Sequence, residues 1–119
     1  MRFTWKQATG ELYREEIKLG TGFSGAPGHI NKSEDESLKH LGPIPRGEYT
    51  ITLIYPLHAK FGPLTCVLHP KYTNKMYGRA GFLIHGDSIK SPGTGSTGCI
   101  ILPNAIRRQF RVDDEILVV

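Results

Sequence analysis

No stretch of the 119-residue chain approaches the ~18 consecutive apolar residues that a transmembrane helix needs, which argues against membrane insertion. Residues Met1 to Gly20 alternate charged and apolar side chains and lack the apolar centre of a cleavable secretory leader. Cysteine is scarce: Cys66 and Cys99 are too few for the disulfide framework of small secreted folds and read as two thiols with different jobs. The five histidines, His29, His40, His58, His69 and His85, form no His-x-x-x-His pair, and there is no Cys-x-x-Cys, so neither a metal nor a cofactor is expected. Charge of one sign is also short. The 15 Lys and Arg against 11 Asp and Glu leave +4, spread along the chain without a basic run of interleaved aromatics. That pattern argues against nucleic acid as partner and suits an anionic polymer. Repeats, low-complexity segments and composition breaks are missing as well, so a single domain over residues 1–119 is expected.

What is abundant is glycine and proline, with 14 and 8 residues against roughly 12% expected for the two together. Such a chain favours tight turns over long helices and excludes an all-helical bundle. Alternating segments at Arg2–Lys6, Glu11–Tyr13 and Glu16–Leu19, parted by the turn formers Ala8-Thr-Gly and Arg14-Glu15, predict an antiparallel meander at a sheet edge. Residues 20–28 read as an irregular loop, and residues 31–40 as a solvent-exposed segment with one short helical turn. The turn Gly42-Pro-Ile-Pro-Arg-Gly47 runs into a β-branched and aromatic strand, Glu48–Tyr55. Four more short apolar runs follow, at Leu64–Leu68, Gly81–His85, Cys99–Leu102 and Glu115–Val119. Pro103–Phe110 fits a two-turn helix that packs through Ala105, Ile106 and Phe110. The fold class expected is mainly β, a sandwich or barrel with one short helix.

The chemistry concentrates in Phe82-Leu-Ile-His85-Gly86-Asp87 and Ser96-Thr97-Gly98-Cys99-Ile100. His85 closes one expected strand and Cys99 opens the next. If those strands pair antiparallel, thiol and imidazole come into contact. The 13-residue loop between them, 86–98, is far longer than a hairpin turn and has the length of a functional loop. A free thiol is only a few per cent ionised at neutral pH, so a cysteine nucleophile needs a neighbouring base, a role open to His85. The amides of Gly98 and Cys99 are candidate donors to the oxyanion formed when sulfur attacks a carbonyl. Taken singly, a cysteine opening an apolar run is ordinarily a small buried hydrophobe, and a histidine at a strand end ordinarily a satisfied surface residue. The pairing of the two across a glycine-rich loop is what raises the case for acyl transfer.

These strings resemble the L,D-transpeptidase catalytic domain, in which His-Gly is followed by Ser-His-Gly-Cys-Ile-Arg and preceded by a Thr-Pro-x-Gly-x-Tyr-x-Ile turn and strand. The whole chain from Thr4 to about Leu102 is similar to the compact L,D-transpeptidase-like effectors of the type VI secretion system. The likeness runs through Thr4-Trp5, Thr9-Gly-x-Leu-Tyr13, Gly20-Thr-Gly-Phe-Ser-Gly25, the Gly42–Gly47 turn and Phe82–Asp87. The resemblance implies a compact L,D-transpeptidase-like β-sandwich or barrel. It also implies a cysteine-dependent L,D-carboxypeptidase or L,D-transpeptidase acting on peptidoglycan tetrapeptide stems. Cys99 would form a thioester and release D-alanine, and water or a D-amino acid would complete the reaction. Ser96 and Gly98 join Cys99 and His85 as catalytic candidates, and Gly86, Asp87 and Thr97 are candidates for substrate contact. The resemblance further implies delivery without a cleavable signal peptide, type VI secretion components and a cognate immunity protein as partners, and action in the periplasm of a target bacterium.

Two positions depart from the family pattern. Its second histidine is Thr97 here, and its arginine after the cysteine is Ile101. A different cation must then meet the stem's carboxylates, with Arg79 the first candidate and Arg46 the second. Two rival readings remain at this stage. Leu64-Thr65-Cys66, with His58 and Arg79, partly matches the nucleophile strand of sortases, and a non-enzymatic β-sandwich binding module needs no reactive thiol at all.

Overall fold

The structure, a computed structural model, describes residues 1–119. Nine strands form one strongly curved sheet: β1 (Arg2–Lys6), β2 (Glu11–Arg14), β3 (Ile17–Thr21), β4 (Phe23–Ser24), β5 (Gly47–His58), β6 (Gly62–Pro70), β7 (Leu83–His85), β8 (Ile100–Ile101) and β9 (Glu115–Val118). Their order is β3-β2-β1-β9-β5-β6-β7-β8-β4. A 3-10 turn at Ser33–Asp35 and a single helical turn, α1 (Asn104–Arg107), complete the elements. The protein is mainly β, as expected.

β1, β2 and β3 make the expected antiparallel meander. β1 is nevertheless an interior strand, because β9 lies parallel beside it, with Phe3 opposite Ile116 and Trp5 opposite Val118. All four side chains are at most 2% exposed. The inward face of the amino-terminal strand thus joins its core to a strand from the far end of the chain.

The segment expected as an irregular loop closes the barrel instead. β3 and β4 lie at opposite ends of the strand order, yet only Gly22 separates them in sequence. One kinked strand therefore pairs with β2 through its first half and with β8 through its second, which leaves little free edge. The kink needs glycine: the Gly22 amide donates to Gly10 O at 2.7 Å, and a Cβ there would collide with Ile101 O.

Trp5, Tyr49, Ile51, Cys66, Ile84 and Ile100 belong to a buried apolar cluster, with the Phe3 and Phe110 rings edge to face at 4.8 Å. Burying each large side chain contributes roughly 1.5–3 kcal/mol, and truncating Trp5 to alanine would cost about 3–5 kcal/mol. Cys66 is 0% exposed and burial pushes its thiol up to about 11. That overturns the sortase-like alternative, which needs a reachable thiol on β6.

Two further expectations are corrected. The helix after Pro103 is one turn long; Ile106 and Phe110 pack into the core, but Ala105 is exposed. The 31–40 segment does hold a short helical turn, yet Glu36 is buried within it. Its carboxylate accepts from Gln7 Nε2, from the Arg46 amide and guanidinium, and from Tyr77 OH. Burial alone would raise the Glu36 carboxyl, but these donors outweigh it and hold the group at about 2.

Candidate active site

β7 and β8 pair in parallel, with Ile84 opposite Ile100 and His85 opposite Ile101. The antiparallel pairing expected from the sequence is wrong. The 86–98 loop is long enough to carry the chain back to the start of the neighbouring strand, so both strands run the same way. Ile84 and Ile100 point into the core, which turns their neighbours His85 and Cys99 to the opposite face of the sheet. Cys99 stands level with Leu83, one pleat before His85. The two are therefore diagonal across the strand pair and not directly opposed.

His85 is 3% exposed, and its Nδ1 lies 2.7 Å from Gly86 O. A carbonyl oxygen only accepts, so Nδ1 carries the proton and Nε2 keeps its lone pair in the neutral ring. Burial holds the imidazole below its usual value; the Gly86 carbonyl opposes that shift, and the Arg107 charge adds to it. Phe61 stacks on the ring at 4.4 Å with planes 28° apart. Phe61 is placed by the β5–β6 turn, where His58 Nδ1 accepts from the amides of Lys60 and Phe61.

Cys99 is half-buried. Burial raises its thiol, while the Leu83 amide and the nearby Arg79 guanidinium pull it back down. Two serines fix its backbone. Ser96 Oγ donates to Cys99 O at 2.6 Å and accepts from the amides of Gly98 and Gly25. Ser24 Oγ donates to Gly98 O at 2.7 Å and accepts from the Ile44 amide. The Gly98 amide is therefore engaged by Ser96, and of the two candidate oxyanion donors only the Cys99 amide is uncommitted. Gly98 has φ +143°, and a Cβ there would lie 2.6 Å from Arg79 Nη2, so both conformation and packing demand glycine.

Arg79 lies beside Cys99 but not in a strand, and its guanidinium is turned inward. It donates to the carbonyls of Glu36, Pro43 and Gly42 at 2.6–2.9 Å and reaches Thr97 O at 3.4 Å. It is a clip between two loops that also places positive charge near the sulfur, not a fork held out to substrate. Arg46, the second candidate, is paired with Glu36 at 2.8 Å. Asp87 does not touch the imidazole; its oxygens accept from the amides of Ser88, Gly93 and Gly95 and organise the loop. Thr97 is exposed at the mouth of the cleft that Cys99 lines.

That cleft is small, about 60 Å³, with Lys39 and His40 on its rim. His85 and Gly86 line a separate cavity of about 520 Å³, walled by Lys60, Phe61, Lys90 and Arg107. No hydrogen bond joins thiol to imidazole, and the cleft lined by Cys99 shares no lining residue with the cavity lined by His85. Phe61, Arg107, Ser24 and Lys60 escaped the sequence reading. Of these only Ser24 carried a signal, its place in Gly20-Thr-Gly-Phe-Ser-Gly25.

The chain is similar in structure to an L,D-transpeptidase (Yku) from Stackebrandtia nassauensis, at TM-score 0.55 and 14% identity, over 99% of this chain and 54% of that one. It is similar too to an L,D-transpeptidase from Mycobacterium smegmatis, at TM-score 0.52 and 16% identity, over 99% of this chain and 58% of that one. The chain thus spans little more than half the length of these structures and shares their fold. No curated protein sequence matches it. The family model of the Tlde1 domain matches residues 18–117, taking in the closing strand, both serines, His85 and Cys99. By that match the chain belongs to the Tlde1 domain family, the L,D-transpeptidase-like type VI effectors.

Proposed function

We propose that the protein is a cysteine acyltransferase of peptidoglycan stem peptides, cleaving the bond before a terminal D-alanine as an L,D-carboxypeptidase or exchanging that residue for another D-amino acid. One observation carries the reading: Gly86 O fixes the proton on Nδ1, so a buried, neutral His85 keeps Nε2 free as a base on the sheet face that bears Cys99.

Both groups rest uncharged, because burial lowers the imidazole and raises the thiol. Activation is therefore general-base catalysis at the moment of attack, not a standing ion pair. Sulfur attacks the stem carbonyl and its proton passes to Nε2. The oxyanion draws on the Cys99 amide, with the Arg79 charge behind it. Collapse breaks the C–N bond, Nε2 returns the proton to the leaving amine, and a thioester remains on Cys99. Water or a D-amino acid amine then gives its proton to His85, attacks the thioester and frees the sulfur. Thiol and imidazole close on each other when substrate binds, as catalytic hydrogen bonds that are long in a free enzyme do.

Delivery by a type VI secretion system, a periplasmic target and a cognate immunity protein follow from family membership and belong to the same proposal. The test is incubation with purified tetrapeptide muropeptides, with and without D-methionine, followed by mass analysis. D-Alanine loss or a methionine adduct is expected from wild type and Cys66→Ala, and neither from Cys99→Ala. Absence of both products with wild type would sink the reading.

A further inference from the structure

The cavity beside His85 brings three cationic side chains, Lys60, Lys90 and Arg107, to one carboxylate, Asp87. Both Asp87 oxygens are already taken by loop amides. None of the protein's ion pairs involves any of the three cations. Arg107 decides the matter. It is 5% exposed, yet its only partners are two carbonyls, Leu102 O at 2.6 Å and Pro63 O at 3.0 Å, and its Nε has no acceptor. A buried guanidinium is ordinarily matched by a carboxylate, because a charge taken out of water and left uncompensated is costly. This one stands unmatched in the wall of an open cavity. A Cβ on Gly86 would lie 3.1 Å from Arg107 Nη1, so bare backbone is what lets the cation reach the shoulder of the catalytic imidazole.

Chemistry selects the anion. On the proposed reading, which this inference rests on, Nε2 must hand a proton to the departing amine, so the departing residue lies on the His85 side of the sulfur. In a terminal amino acid one carbon separates that amine from a free carboxylate. We propose that Lys60, Lys90 and Arg107 form the subsite for the α-carboxylate of the leaving D-amino acid, and then of the incoming one. The subsite makes a free chain terminus the feature a substrate must present. Its volume, about 520 Å³, falls in the usual range for small-molecule sites and exceeds what alanine fills, so bulkier incoming residues are accommodated. It supplies the cation that Ile101 lacks.

The experiment compares a tetrapeptide stem with its C-terminal amide, and follows free D-alanine and D-alaninamide by NMR titration of the whole protein. Wild type is expected to favour the free acid at least about tenfold in KM, the size of one charge-assisted contact. Because Lys60 and Lys90 are exposed, the double variant Lys60→Ala/Lys90→Ala should fold normally. It should raise KM for the acid about tenfold with kcat nearly kept, and leave the amide unaffected. Arg107→Met should remove the remaining preference, and Arg107→Lys should restore part of it. D-Alanine, but not D-alaninamide, should shift the Gly86 and Lys60 amide signals. Equal turnover of acid and amide by wild type, or no shift with D-alanine, would overturn the subsite while leaving acyl transfer intact. Specific D-alanine shifts in a protein that cleaves no stem would uphold the subsite and overturn the reaction.

Discussion

The Ser96 hydroxyl donates to the Cys99 carbonyl at 2.6 Å while accepting from the Gly98 amide at 3.0 Å and the Gly25 amide at 2.9 Å. The hydroxyl of Ser96, a residue 1% exposed, thus holds both ends of the turn that presents the sulfur and ties it to Gly25, directly after the strand that closes the barrel. Ser96→Ala would leave two buried amides and a carbonyl without partners, at a cost of about 1–3 kcal/mol for each, not fully additive. Turnover should fall further than that loss of stability implies, because the Cys99 amide moves with the turn. Denaturant melts beside D-alanine release check this. A stable variant with full activity would show that the turn holds itself.

His85 sets the acid limb of activity. Only the neutral ring can take the thiol proton, and burial, aided by the Arg107 charge, holds the ring neutral below the ordinary value of 6.5. As pH falls, kcat/KM should therefore persist past 6.5 and decline at a more acid midpoint. Phe61 is part of the cause, since its face excludes water from the imidazole at 4.4 Å. Phe61→Ala should move the midpoint back up and lower kcat. A wild-type midpoint at or above 6.5 would contradict the neutral base.

The sequence disclosed this site unevenly, and for physical reasons. Strands β1, β2, β5, β6 and β9 were legible because alternation, β-branching and flanking turns are local properties. The relation of β7 to β8 was not, since nothing local distinguishes a long hairpin from a crossover, and that choice decides whether His85 faces Cys99 squarely or diagonally. Gly22 illustrates the same limit. Four glycines and a proline read as a loop, whereas one of them is the kink that lets a single strand serve both ends of the sheet. Arg79 and Arg107 show it for charge. Sequence spacing drew attention to the first, whose guanidinium is taken up by carbonyls, and gave no sign of the second, whose guanidinium the fold sets against Gly86, next to His85.

Glu36 makes part of the fold's stability pH-dependent. Its folded carboxyl sits at about 2 against 4.5 for the free group. A depressed carboxyl contributes stability in full above its unfolded value and loses it as pH falls toward the folded one. The contribution, at most about 3 kcal/mol, should therefore be complete above roughly pH 5 and vanish between 4.5 and 2. Glu36→Gln should remove that dependence and destabilise the protein at neutral pH by a similar amount. Stability measured by urea from pH 7 to 3 tests it; a parallel decline in wild type and variant would place the acid sensitivity elsewhere.

Arg79 joins the two halves of the problem, holding the loop at Gly42 and Pro43 while lowering the Cys99 thiol against the effect of burial. Arg79→Met keeps much of the side chain's bulk over Phe82 and removes the charge together with three close carbonyl contacts. It should cost at least about 3 kcal/mol, since hydrogen bonds from a buried cation are worth about 1.5–3 kcal/mol each and do not add fully. With the cation gone, burial acts on the thiol unopposed except by the Leu83 amide, so the pH at which Cys99 is alkylated should move upward. Cys66 stays silent to the same reagent until the protein unfolds, because its thiol is buried and pushed up to about 11. Iodoacetamide rates across a pH series, read by mass on Cys66→Ala, isolate the Cys99 signal. Arg79→Lys should recover part of the shift, since a point charge restores the field without the fork geometry. An alkylation profile identical in wild type and Arg79→Met would mean that the guanidinium holds the loops and leaves the sulfur alone.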